Sequence, residues 1–188
     1  MMTKNNIIWV FLILFFLAPA NLESKDFNEL TFRERLFFGG HFGLMFGTIT
    51  NIEISPIAGY RFTPRVSLAL GPKYQYYKEG ILFNTHIYGG RAFARYMLVK
   101  DFNKLVPINL NAGVFFQTEY EGLSLEKKYF GSIVSDEGRF LLNSVLVGGG
   151  LSQPVGDRGA LNFTVLWNVN PIENPPYTNP VIRIGFNF

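Results

Sequence analysis

Residues 180–188 read Pro-Val-Ile-Arg-Ile-Gly-Phe-Asn-Phe, and their alternation constrains the fold more than any other stretch. Ile182, Ile184, Phe186 and Phe188 share one parity; Val181, Arg183, Gly185 and Asn187 share the other. Successive side chains of a strand point to opposite faces. The segment therefore has one apolar, aromatic face and one mostly small or polar face. Chain ends usually fray, so an end that carries such a strand is expected to be held by neighbours. A ring of strands is the arrangement that needs its last member to close.

The same alternation recurs upstream. Parity reading places strands at Phe37–Phe46, Asn51–Tyr60, Arg65–Tyr77, Phe83–Leu98, Leu105–Thr118, Arg139–Leu151 and Ala160–Asn168, with the ending as the eighth. In the third, for example, Val66, Leu68, Leu70, Tyr74 and Tyr76 oppose Ser67, Gly71, Lys73 and Gln75. Arg139–Leu151 has no clean parity, and its Gly148-Gly149-Gly150 run is expected to relieve crowding or mark a bend. Aromatics make up 16% of the chain and there are 19 glycines, a mixture that favours strands and tight turns over helices.

The first residues read differently. Lys4, the apolar run Ile7 to Ala18 and Ala18-Pro19-Ala20 form the pattern of a secretory signal peptide cleaved after Ala20. The run is shorter than the roughly 20 apolar residues of a membrane helix, and no later stretch is longer. Residues 21–36 are expected to be a short, polar, loosely ordered periplasmic lead-in, and residues 37–188 one domain. Without Lys4 the charge falls from +3 to +2, too weak a balance to argue for nucleic acid. The chain has no Cys, which excludes cysteine acylation, disulfides and thiolate metal sites. No phosphate loop or dinucleotide fingerprint occurs, and no cofactor is expected.

A chain of this kind embedded in a membrane must be a closed barrel, because only closure satisfies every backbone group in lipid. Eight is an even number, and about 9–11 residues per tilted strand suffices to cross. If the chain starts on the periplasmic side, the periplasmic turns are Arg61–Pro64, Val99–Lys104 and Ser152–Gly159. The external loops are then Gly47–Thr50, Lys78–Leu82, Tyr120–Gly138 and Val169–Asn179. Short turns at one end and longer loops at the other are the barrel pattern. Tyr60, Tyr74, Tyr76, Tyr96, Trp167 and Phe188 fall near strand ends, where aromatic girdles belong.

Taken together, the signal peptide, the strand–turn–strand segment Ile57-Ala58-Gly59-Tyr60-Arg61-Phe62-Thr63-Pro64-Arg65-Val66-Ser67-Leu68 and the terminal Phe188 carry a resemblance. The stretch Phe37–Phe188 resembles the small eight-stranded outer-membrane β-barrel proteins of Gram-negative bacteria. The resemblance implies an all-β, eight-stranded, antiparallel up-and-down transmembrane barrel in the outer membrane. It implies lipid and lipopolysaccharide as surroundings, and an assembly signal at Ile184, Phe186 and Phe188 read by the barrel assembly machinery. It says almost nothing of activity, since fold does not give function.

On this parity His41, Glu53, Lys73, Gln75, Arg91, Arg95, Asn109, Asn111, Gln117, Asn143, Asn162 and Arg183 point inward. Side chains just fill an eight-stranded ring, so the expectation is a plug of ion pairs and amides. The alternative is a narrow anion-preferring path lined by Lys73, Arg91, Arg95 and Arg183; a general porin needs a larger ring. A lipid-modifying enzyme would need a Ser, a His and a carboxylate to converge. His41, with Ser55 or Glu53 on the next strand, is the one place to look, while His86 sits on the apolar face. The leading expectation is a non-enzymatic barrel with a structural or interaction role. A protein partner would meet it at the external loops, through Tyr129, Phe130, Ile133 and Val134 or through the loop stiffened by Pro171, Pro175 and Pro176. A lipocalin-like soluble barrel is the architectural rival, and it would place the apolar face inside.

Overall fold

Eight strands pair in chain order, each antiparallel to its neighbours, and close into a barrel. The computed structural model describes residues 27–45, 49–80, 83–104, 111–130, 138–156, 158–170 and 179–188. The strands are β1 (Leu36–Met45), β2 (Ile49–Arg61), β3 (Val66–Glu79), β4 (Phe83–Val99), β5 (Gly113–Glu126), β6 (Arg139–Val155), β7 (Gly159–Asn168) and β8 (Val181–Asn187). The ring closes where Gly39, Gly40 and His41 pair with Asn187, Phe186 and Gly185. Phe38 and Phe188 add a reciprocal pair of backbone bonds at 3.0 and 2.8 Å. Antiparallel neighbours need only short links. In the β2–β3 turn the Thr63 hydroxyl accepts the amides of Arg65 and Val66 at 3.2 and 2.9 Å, where Pro64 has no amide to offer.

Parity alone cannot say which face is inside, and the ring decides it. The apolar parity faces outward: Phe38, Phe42, Leu68, Leu70, Leu141 and Ile182 are among many exposed hydrophobic side chains. The polar parity faces the axis, with His41, Lys73, Gln75, Arg91, Gln117, Asn162 and Arg183 buried. This is the reverse of a lipocalin-like barrel.

Four expectations need correction. The fifth strand runs Gly113–Glu126 rather than Leu105–Thr118, so Tyr120 belongs to the wall and not to a loop. Alternation continues unbroken through Gln117, Glu119, Glu121, Leu123 and Leu125, all buried. Acidic residues read as a solvated loop are here paired inside the ring. Asn111 precedes β5 and is exposed, so it is not a lumen residue; Asn109 lies outside the described residues. Asn143 also faces outward, where it accepts a hydrogen bond from the Tyr120 hydroxyl at 2.8 Å. Finally, the β4–β5 connection spans residues 100–112, comparable with 127–138 and 169–180 at the other end. The difference in loop length between the two ends is weaker than the sequence suggests.

The lead-in is partly helical. A short helix α1 (Phe32–Arg35) precedes β1, with the Thr31 amide and hydroxyl both donating to the Glu34 carboxylate at 2.9 and 2.8 Å. Residues 1–20 and 21–26 lie outside the described residues. A second short helix, α2 (Lys127–Phe130), follows β5.

The glycine run in β6 marks crowding. Gly148 and Gly150 face inward beside Gln117 and Phe115. A methyl group on Gly150 would overlap the Phe163 carbonyl oxygen and come within 2.9 Å of the Phe115 ring. Gly150→Val is expected to destabilise the barrel by about 1–3 kcal/mol, the usual cost of overpacking. A lower urea midpoint by tryptophan fluorescence would register it, and an unchanged midpoint would contradict this packing.

Candidate functional site

Alternate residues of β1 to β5, β7 and β8 send polar side chains to one level of the lumen. Register places Arg91 opposite Glu121 and Arg95 opposite Gln117. It places Thr164 opposite Arg183, and Asn162 opposite Gly185. Because eight strands enclose little more than their own side chains, these groups meet across the axis.

Arg183 sits at the centre. Its Nη1 donates to Glu119 Oε1 at 2.6 Å and its Nη2 to Glu121 Oε1 at 2.5 Å. Lys73 Nζ donates to Glu121 at 3.0 Å and lies 3.3 Å from Glu53. Glu53 in turn contacts His41 Nε2. Gln117 links the two halves: its amide donates to Glu119 at 2.8 Å, and its carbonyl accepts from Arg95 Nε and Nη2 at 3.1 and 2.9 Å. Arg95 Nη1 reaches Asn162 at 2.9 Å, and the Arg95 guanidinium lies 3.9 Å from the Phe115 ring centre. Charge-assisted bonds of this kind are short and about twice as strong as neutral ones.

Apolar layers flank the network. Ile87, Leu123, Leu125 and Leu142 form one cluster, with Tyr77, Phe130 and Phe140 packed on it. On each contributing strand they lie nearer the end that carries the α2 connection than the charged groups do. Phe130, read from the sequence as an external-loop residue, covers this cluster and meets Tyr77 edge to face. Phe37, Ala69 and Phe93, with Ile57, form the second cluster toward the opposite end. The space left inside includes a cavity of about 40 Å³, room for little more than a water or two.

The sequence-predicted lumen residues His41, Glu53, Lys73, Gln75, Arg91, Arg95, Asn162 and Arg183 thus share one interior, and all but Gln75 meet in the network described. Glu119 and Glu121 were not expected there, although Glu121 is completely buried. The signal that could have found them is the unbroken alternation after Gln117. At His41, register sets Ser55 directly opposite on β2 and Glu53 contacts the ring Nε2, while the Ser55 hydroxyl donates to the Pro72 carbonyl at 3.1 Å. His86 faces outward between Tyr74 and Tyr76, with its Nδ1 2.8 Å from the Tyr74 hydroxyl. Among the described residues no group of His, Cys, Asp or Glu could hold a metal ion. Ile133, Val134, Pro171, Pro175 and Pro176 lie outside the described residues.

No family model matches the chain, and no curated protein matches it. The fold is that of eight-stranded antiparallel barrels, consistent with porin-like barrels in general. A larger depression of about 710 Å³ lies on the outer wall, where Ala58, Ala92 and Ala94 sit low between Leu68, Leu70 and Tyr120.

Proposed function

We propose that the chain is an integral outer-membrane β-barrel with a structural or interaction role, and not an enzyme. The observation that carries this reading is the inverted distribution of polarity. Hydrophobic side chains face outward around the ring while the ionised groups are buried inside. Exposed apolar patches on soluble monomers rarely exceed a few hundred Å², whereas an outward apolar band with flanking aromatics suits a bilayer. Tyr74 and Tyr88 toward one end and Tyr96 and Phe62 toward the other are exposed in the manner of two girdles. The shallow wall at Ala58, Ala92 and Ala94 suits the packing of lipid chains.

The filled interior favours a structural role over transport. Lys73, Arg91 and Arg183, which would line an anion path, are ion-paired to Glu53, Glu119 and Glu121. The external ends of the strands remain as the surface for lipopolysaccharide or a protein partner, and insertion by the barrel assembly machinery belongs to the same reading.

Gel mobility in dodecyl sulfate, boiled against unboiled, on purified outer membranes tests the proposal. A heat-dependent shift in that fraction is the expected result. A protein that stays soluble and shows no shift refutes it. Single-channel recording is expected to show no steady conductance, and a steady open level would favour the pore instead.

A further inference from the structure

Among the described residues the lumen holds more fixed positive charge than negative. Lys73, Arg91, Arg95 and Arg183 share the network with three carboxylates, Glu53, Glu119 and Glu121. The deficit falls on Arg95, whose hydrogen bonds go to the amide carbonyls of Gln117 and Asn162, and on its neighbour Arg91. Arg91 is 7% exposed, and its hydrogen bond to Glu119 Oε1 is long, at 3.4 Å. That oxygen is held more tightly by Arg183, at 2.6 Å. Arg91 Nε and Arg183 Nε are buried without a hydrogen-bond partner. Guanidinium nitrogens are obligatory donors, and leaving a buried donor unmade is costly. Both arginines, with Arg95, Gln117 and Asn162, line the cavity of about 40 Å³.

We propose that this cavity is a binding site for one small monovalent inorganic anion of chloride size. A water could accept from one guanidinium, but it would leave the surplus charge of a poorly solvated interior uncompensated. A single halide does both, and it is only slightly larger than a water oxygen. Gln117 and Asn162 use their carbonyls on Arg95, so these acceptors are turned toward a cation and not toward the anion. The site is walled by strands and needs no loop. It does not depend on where in the cell the barrel resides.

A ligand that binds only the folded state raises stability in proportion to the logarithm of its occupancy term. The purified, folded barrel is unfolded in urea at constant ionic strength, with sodium chloride or sodium bromide progressively replacing sodium gluconate. The expected result is a midpoint that rises with the logarithm of either halide concentration once that concentration exceeds the dissociation constant. Arg91→Gln is expected to flatten the dependence, whereas Arg65→Gln, in the exposed β2–β3 turn, is expected to preserve it. The same midpoint in chloride and gluconate throughout would overturn the site, as would an Arg91→Gln protein that keeps the full halide response. If Arg91→Gln does not fold, bromide-soaked crystals of the unaltered chain decide. An anomalous peak beside Arg91 and Arg183 supports the site; bromide found only on the surface overturns it.

Discussion

Glu119→Ala is expected to lower the free energy of unfolding by about 3–5 kcal/mol, the usual cost of removing one partner from a buried ion pair. Glu119 accepts from Arg183 at 2.6 Å, from Gln117 at 2.8 Å and from Arg91 at 3.4 Å. Its removal leaves two buried guanidinium groups short of a counter-charge and frees the amide that connects Arg95 to the network. Glu126→Ala provides the contrast. Glu126 pairs with Arg139 at 3.1 Å in a partly exposed position, and Arg139 also bonds Ser124 and the His86 carbonyl. The loss there is expected to be about 1 kcal/mol or less. Urea unfolding of both variants in the same micelles measures the difference. Equal, small losses would mean that the interior is hydrated and that Glu119 does not anchor it.

Leu70→Arg is expected to cost about 2–4 kcal/mol in a bilayer, the penalty for a cation on the lipid face near the midplane. Leu70 is 66% exposed. It lies on β3 midway between Val66, which pairs with Tyr96, and Tyr74. That places it between the two aromatic levels. On a soluble barrel the same exposed substitution would fall within about ±0.5 kcal/mol. Folding into vesicles and into a lipid-free buffer separates the two cases. A large cost confined to vesicles supports membrane embedding, and a negligible cost in vesicles contradicts it.

The wall was legible because two-residue periodicity is a local property. β3 and β7 begin and end within about two residues of their sequence-predicted limits, since each alternates cleanly between turn residues, and β4 does so although its alternation is weaker. β5 was misplaced because its boundary depended on Glu119 and Glu121. Carboxylates in an isolated strand are read as solvated; they enter a lumen only when cations from distant segments meet them there. The cationic partners of Glu119 and Glu121 lie 28 to 64 residues away in the chain, beyond the reach of any local pattern. Asn143 was misplaced for a different reason: its strand carries apolar residues on both faces and neither parity is cleanly polar, so the outward direction emerged only from pairing with β5 and β7.

The sequence by itself determined an antiparallel sheet with one apolar face, the eight strands of that sheet and the identity of most polar side chains opposite. Tertiary structure decided what no alternation encodes. Closure of the ring chose the polar face for the interior, and the stagger of tilted strands chose which charges meet. Arg183 acquired both its carboxylates from a strand that shares no hydrogen-bonded edge with β8, because the axis of a narrow barrel brings together residues that neither chain order nor sheet order makes neighbours.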